Sequence, residues 1–392
     1  MVSGEVLGPI RNAEEFAKLA SCDLRPFFSF SPSRKLVETV RGKGYTHIRR
    51  FVAIPSCRQM RWLVPVGNTN GPVAGTQLYA PYNWAARSLK RILIRMIKMR
   101  WEGWPASRVL VASRELLPLE VLVSTVTGES HPVLALSIGR QASVRKLTVQ
   151  VMRSNGGLLG YIKLPLTDAA RERVKNEATV LERLWAFPEL RDHIPQVLYA
   201  GNWNDSYVLF ESGLAGERGP TRFDGIHERF LAKLQNVHSG EMDAGQLISK
   251  VARKWQTAAR ELDATWRSLG REVLQLASLG LHGTTLRCGI MHGDFAPWNT
   301  RVQNNELLLF DWESADWQAP LLWDVFHFHL QTASSLGTTA KFRWPVVTEG
   351  SISSMLYILS SVCQFLQENN HTAITLRQQL LVDQLTKQKA PL

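Results

Sequence analysis

Eight consecutive residues, His292-Gly293-Asp294-Phe295-Ala296-Pro297-Trp298-Asn299, put an imidazole, a carboxylate and a carboxamide into one short loop, and a second carboxylate, Asp311, follows Asn299 by twelve residues. The pattern H-x-D-x-x-x-x-N with a later metal-binding Asp fits phosphoryl transfer. A carboxylate at Asp294 can accept the proton of a hydroxyl and orient its oxygen. Asn299 and Asp311 offer oxygen ligands to Mg2+ bridging phosphates, and magnesium takes few protein ligands, so one amide and one carboxylate suffice. His292 braces the loop. A loop that merely joins helices would use each of these residues as a cap or turn former, but it would not account for their joint spacing or for Asp311 behind an apolar run at 307–310.

The surrounding pattern supplies the elements that must position these groups. A hairpin is expected from 300–302 to 307–310, turned by Asn304-Asn305, within a part of the chain that reads as largely helical from Leu214 onward. Upstream, strands are expected at 133–137, 145–152 and 158–164, the last two joined by Ser154-Asn155-Gly156-Gly157, a strong turn signal. Thr167 or Asp168 caps a helix whose apolar stripe is Val174, Ala178, Leu181, Leu184 and Trp185. Two strand-like runs, 196–200 and 207–210, then end at Glu211-Ser212-Gly213, completing a small α+β lobe.

The formal charge of +12 is unevenly placed: residues 1–128 hold 19 Lys and Arg against 8 Asp and Glu, a net of +11, and residues 129–392 hold 27 against 26, a net of +1. Between 39 and 101 stand 12 basic side chains and no acidic one. A one-signed field of that size attracts phosphates, anionic lipid or an acidic protein surface. Inside it, 85–101 reads as an amphipathic helix with Arg87, Lys90, Arg91, Arg95 and Lys98 on one face and Leu89, Ile92, Leu93, Met96, Ile97 and Met99 over much of the other. That fits a surface helix packed on its own domain, an interfacial membrane helix or a helix that docks a partner. The fold of 1–128, with its short apolar runs at 61–66 and 109–112 among Pro and Gly, is not readable.

A chain of 392 residues has room for two or three domains, and 45% hydrophobic with 20% charged residues is ordinary globular composition. No apolar window is long enough to span a bilayer. Glu5, Glu14 and Glu15 sit where a secretory signal would need an apolar core, so the cytoplasm is the expected address, with peripheral attachment at the inner membrane face left open. Cys22, Cys57, Cys288 and Cys363 are dispersed, which favours reduced thiols over a zinc site or a disulfide framework. His327 and His329, two apart on a helix, point in different directions and read as core or pocket histidines rather than metal ligands.

HGDFAPWN followed by LLLFDWE resembles the Brenner-type loop and metal motif of aminoglycoside phosphotransferases, choline kinases and related metabolite kinases. The resemblance implies an α+β, bilobal protein-kinase-like fold: a small, mainly β N-lobe with hinge at 129–213, a larger helical C-lobe at 214–392, and an extra basic N-terminal domain at 1–128. Gly293, where H-R-D protein kinases carry Arg, favours the small-molecule branch. The resemblance also implies a phosphate-binding lysine, for which Lys163 resembles the V-A-I-K position, and a glutamate to hold it. Glu177 shares the apolar stripe of its helix, where a carboxylate is costly without a partner; Lys163 is the expected one, with Arg173 and Lys175 as alternatives. In the phosphate-covering loop a single glycine remains, and Gly139, Arg140 and Ser143 are the positions that could touch phosphate. Residues 207–213 stand at the adenine-binding hinge, and Asp324 matches a helix Asp that supports the catalytic loop. Trp312, Trp317, Trp323 and Phe326 fit core packing or, alternatively, stacking on a sugar-like acceptor.

These features together read as an ATP- and Mg2+-dependent transfer of the γ-phosphoryl group to a hydroxyl of a small molecule, with a sugar or glycan precursor as one acceptor class. An aminoglycoside would want an acidic pocket, and the net of +1 over 129–392 shows no excess of carboxylates. The alternative is a non-catalytic kinase-like nucleotide-binding module, recruited by its basic N-terminal domain to a membrane or acidic partner. It sits poorly with the presence of Asp294, Asn299, Asp311 and Lys163 together. Nucleic acid is not an expected partner, since no RNP-like aromatic sheet or other such module is present.

Overall fold

Nine short segments within the first 213 residues are rich in β-branched, aromatic and other apolar side chains, as in WLVPV and RVLVAS, the composition that suits a strand. In the computed structural model, which describes residues 27–30, 34–57, 60–67, 71–78, 84–99, 108–138, 143–204, 206–336 and 352–389, these segments pair as one antiparallel sheet. The strands are β1 (Phe27–Phe30), β2 (His47–Ile54), β3 (Trp62–Val66), β4 (Arg108–Ser113), β5 (Val133–Ile138), β6 (Lys146–Met152), β7 (Leu158–Pro165), β8 (Val197–Trp203) and β9 (Ser206–Ser212), in the order β1-β4-β2-β3-β5-β6-β7-β9-β8. Helices α1 (Arg34–Gly42), α2 (Gly71–Gly75), α3 (Trp84–Lys98) and α4 (Pro118–Thr127) accompany the first four strands and the approach to the fifth. One sheet face and α4 share an apolar core that includes Phe51, Leu63, Val111, Leu122, Leu136, Val149, Ile162 and Phe210. The expected turn between β6 and β7 is present, with Gly156 at φ +91° and the Gly157 N–H donating to Asn155 Oδ1 at 2.9 Å.

The boundary expected at 128/129 does not separate two sheets. β3 pairs with β5 through Trp62↔Ser137 and Leu63↔Leu136, so the basic region and the expected N-lobe share one ladder. The short runs at 61–66 and 109–112, unassigned from sequence, are β3 and β4. By its internal contacts the chain divides instead into one unit of Met1–Gln141, Arg145–Val174 and Val197–Gly213 and a second of Ala142–Val144, Lys175–Gln196 and Leu214–Leu392. A cavity of about 260 Å³ in this unit is lined by Arg49, Phe51, Val66, Leu117 and Leu134 among others. The helix expected at 85–101 is α3; Arg87, Arg91, Arg95 and Lys98 are exposed and Ile97 is buried, yet Leu89 and Ile92 on the apolar side remain 61% and 50% exposed. No helix among the described residues is long and apolar enough to cross a membrane.

The second unit is mainly helical, as the resemblance implies. Helix α5 (Asp168–Trp185) passes into it at Lys175, and α6 (Gly225–Val237), α7 (Ala244–Ala258), α8 (Ala264–Gly280), α9 (Trp323–Leu336), α10 (Ile352–Gln367) and α11 (His371–Lys389) follow. Strand β11 (Ser239–Asp243) pairs with β12 (Thr285–Met291), which pairs with β15 (Asp316–Pro320); β10 (Glu217–Arg218) lies beside the hairpin of β13 (Thr300–Gln303) and β14 (Glu306–Leu309). That hairpin turns on Asn304 and Asn305 at φ +52° and +61°, a conformation asparagine tolerates better than most side chains. The core between α7, α8, α9, α10 and α11 contains Trp255, Trp266, Val273, Phe326, Leu330, Leu359 and Phe365. Cys57, Cys288 and Cys363 are free and burial raises the pKa of each thiol, while Cys22 lies outside the described residues.

One largely buried polar contact of the first unit joins β2 to α4. Arg49 donates Nε and Nη2 to the two carboxylate oxygens of Glu120, and Nη1 to Ser113 Oγ at 2.9 Å, while Glu120 also accepts the Leu117 N–H at 2.8 Å. Removing one member of such a pair leaves a buried charge uncompensated, so Glu120→Ala should lower the unfolding free energy by about 3 kcal/mol. Urea unfolding followed by tryptophan fluorescence measures it; a loss no larger than that of an exposed Glu→Ala control would show that the pair does not stabilise the sheet.

Candidate active site

β12 delivers the chain into the loop 292–299, and its first two amides meet one carboxylate. The N–H groups of His292 and Gly293 donate to Asp324 Oδ2 and Oδ1 at 2.7 and 3.0 Å. Asp324 sits in the first turn of α9 and is 2% exposed. Burial raises its pKa to about 6, against the pull of those two N–H donors, which favour the charged form. Gly293 then takes φ +80°, and a Cβ there would come within 2.3 Å of the Ser314 carbonyl oxygen. This is a steric reason for glycine at 293, independent of any family pattern.

His292 is fully buried and braces the loop as expected. The Asp294 N–H donates to its Nδ1 at 3.1 Å, which makes Nδ1 the acceptor, and Nε2 therefore carries the proton it shares with the Phe310 carbonyl at 3.1 Å. Trp312, also fully buried, meets the imidazole at 4.7 Å between ring centroids and 66° between planes. Asn299 donates Nδ2 to the Asp294 carbonyl at 2.9 Å and to Asp294 Oδ2 at 2.8 Å, so both amide hydrogens are used and Oδ1 is the atom left for a cation. His327, read from sequence as a core or pocket histidine, places Nε2 2.9 Å from Asp294 Oδ1.

Asp311, just after β14, is left-handed at φ +70° and ψ +58°, a strained setting of the kind that collects at functional sites. The next amide, Trp312 N–H, donates to Glu177 Oε1 on α5 at 2.8 Å. Carboxylate oxygens of Glu177, Asp311 and Glu313 lie within 4.8 Å of one another. This all-oxygen donor set, with the Asn299 amide oxygen, suits a hard divalent cation such as Mg2+. Sequence reasoning missed Glu313; its only signal was an acidic residue two positions after Asp311.

The first unit places Lys163 on β7, 4% exposed, with Nζ 3.1 Å from Glu211 Oε1 on β9. Glu211 pairs in register with Tyr161, two residues from Lys163 and on the same face, so it is the diagonal cross-strand neighbour. Glu211 is a contact of Lys163 that sequence reasoning did not name, while Glu177, the partner expected for Lys163, belongs to the second unit and there accepts the Trp312 N–H. Ser143 Oγ donates to the Gln367 carbonyl at 2.8 Å, while Gly139 and Arg140 lie outside the described residues. Trp312, Trp323 and Phe326 are buried, which is the core-packing outcome, and Trp317 is covered by the Arg183 guanidinium 3.7 Å from its ring centroid. His329 is half-buried and joins no cluster of metal-ligating groups among the described residues.

No family model matches the sequence, and no curated protein does. Among solved structures, the chain is similar to a thermostable mutant of aminoglycoside phosphotransferase APH(4)-Ia, at 16% identity and a TM-score of 0.47, over 69% of this chain and all of that one. The GDP complex of aminoglycoside 2'-phosphotransferase-IIIa is similar at 15% identity and a TM-score of 0.45, over 69% of this chain and 98% of that one. The streptomycin-ATP-APH(2")-IIa ternary complex follows at 14% and 0.41, over 69% and 94%. Likenesses of this size decide nothing about substrate or activity, which rest on the side chains above.

Gly293→Ala should cost about 1–3 kcal/mol, since it adds a collision with the Ser314 carbonyl to a positive φ. Gly283→Ala is the control, with φ +66° and nothing within 4 Å of the new carbon; its positive φ alone should cost about 1–2 kcal/mol, less than at 293, where the collision adds to it. Urea unfolding of both variants checks the difference, and equal losses would show that the loop yields around residue 293.

Proposed function

We propose that this chain is a phosphotransferase that passes the γ-phosphoryl group of ATP to a hydroxyl of a small molecule. The observation that carries this reading is the constellation in the second unit: Asp294 held by Asn299 on one oxygen and His327 on the other, with Asp311 set in a left-handed turn beside Glu177 and Glu313. Asp294 is 25% exposed, so its carboxylate can accept a hydroxyl proton from an incoming acceptor. Asp311 and the Asn299 amide oxygen would hold Mg2+, with Glu313 at hand, and the bound ion would supply charge neutralisation across the phosphate oxygens. Lys163 and Glu177 keep the phosphate-binding roles that the family resemblance implies. With a net of +1 over 129–392, a neutral or anionic hydroxyl compound such as a sugar or glycan precursor suits the acceptor site better than a polycation.

The deciding experiment incubates the protein with γ-labelled ATP and Mg2+ and a panel of sugars, amino alcohols, lipid-linked glycans, hygromycin B and streptomycin. Label in a small molecule supports the reading; nucleotide binding with no transfer to any acceptor or to water favours the non-catalytic module. Asp294→Asn should lower turnover by about 10²–10⁴-fold while Mg-ATP affinity stays within a few fold, because the residue addresses the acceptor. Calorimetry decides it: affinity falling as far as rate would contradict that role. Asp311→Asn should instead raise the Mg2+ concentration needed for half-maximal nucleotide binding, and an unchanged requirement would remove Asp311 from the metal site.

A further inference from the structure

His327 meets one oxygen of Asp294, and both of its ring nitrogens are engaged. It lies one turn beyond Asp324 on α9, so the helix that anchors the loop backbone also presents an imidazole to Asp294. Nε2 is 2.9 Å from Asp294 Oδ1, and Nδ1 is 3.0 Å from the Tyr357 hydroxyl on α10. His327 and Tyr357 are 1% and 3% exposed, and Phe365 stacks near the imidazole at 6.2 Å and 29°.

These contacts fix the tautomer. An ionised Asp294 only accepts, so the proton must be on Nε2, and Nδ1 then accepts from the Tyr357 O–H. Burial first, and then the charge of Arg377, lower the His327 pKa to about 4, while Asp324 and Glu368 act the other way; the ring is neutral at ordinary pH and has one proton to give. Burial also raises the Tyr357 pKa to about 12, so it remains a donor.

We propose that His327, locked by Tyr357, is a positioning residue for Asp294: its Nε2–H fixes the rotation of the carboxylate and steadies its charge, so that the carboxylate is held ready for the acceptor hydroxyl. The inference rests on the reading of Asp294 as the group that takes the hydroxyl proton. In the transfer, that proton goes to Asp294 and His327 keeps its own, acting as a fixed donor and not as a shuttle.

Two measurements test it. In protein labelled with ¹⁵N-histidine, the ring assigned to His327 by its loss in His327→Phe should show the neutral Nε2–H form from about pH 5.5 to 8.5, since a pKa near 4 lies well below that window, and its Nε2 resonance should move in Asp294→Asn. A neutral Nδ1–H ring at His327, or protonation of it near pH 6.5, would overturn the assignment. In turnover, read as label transfer to an accepted hydroxyl compound or as ATP hydrolysis to water, His327→Phe should lower kcat about 10–100-fold, the size of a lost hydrogen bond to a charged group. KM for Mg-ATP should hold within about twofold if the effect is on the acceptor side. His327→Gln, whose amide nitrogen reaches as far as Nε2, should recover most of kcat, and His327→Asn, which mimics only Nδ1, should not. Tyr357→Phe should lower kcat in the wild type and add nothing in His327→Phe, as members of one chain do. Gln and Asn variants that behave alike, or a His327→Phe enzyme with full turnover while Asp294→Asn is inactive, would overturn the inference alone. Full turnover in Asp294→Asn would overturn the functional reading as well.

Discussion

The backbone amides of His292 and Gly293 point at one buried carboxylate, and the other contacts of the loop follow from that anchoring. With those two N–H groups committed to Asp324, the chain reverses through the positive φ of Gly293, and only then can the Asp294 amide close on His292 Nδ1 and the Asp294 side chain meet Asn299. Each buried N–H left without an acceptor would cost about 1–3 kcal/mol, so the loop has a strong reason to keep this path. The anchor has a cost of its own. Its folded pKa, about 6, lies above the ordinary carboxyl value, so from pH 4 to about 6 the folded chain holds a proton that the unfolded chain has released. Stability contributed by this group therefore declines as the pH rises through that window, and the ionised form persists because it organises the loop.

Some of this was legible in the sequence because it is local. The spacing from His292 to Asp311 implied one loop and one metal-binding carboxylate, and the structure brings His292, Asp294 and Asn299 into mutual contact. Asn304-Asn305 and Ser154-Asn155-Gly156-Gly157 could be read as turns because those residues adopt positive φ at low cost, and both hairpins are present. What escaped the sequence is what joins distant segments. Glu211 reaches Lys163 only through the register of β7 and β9, and His327 reaches Asp294 across 33 positions. Glu177 also accepts the backbone amide of Trp312, a donor that no side-chain pattern reveals.

The aromatic stretch after the loop shows how a composition signal is resolved by burial. Trp312 lies beneath His292, and Trp323 and Phe326 belong to the core shared by α9 and α10, so the rings stiffen the second unit around the loop. Rigid support of this kind matters because a carboxylate that must meet a hydroxyl within hydrogen-bond reach loses rate steeply when its neighbours are loose.

The pairing of β3 with β5 changes what the N-terminal third of the chain is for. A shortened protein beginning near residue 129 would expose the β5 edge while its side chains Leu134, Leu136 and Ile138 lost the neighbours contributed by β2, β3 and α4. Exposed apolar edges recruit further strands from other molecules, so such a fragment would be prone to self-association. In the whole chain β3 occupies that edge, and the strand that carries the pairing comes from the basic region.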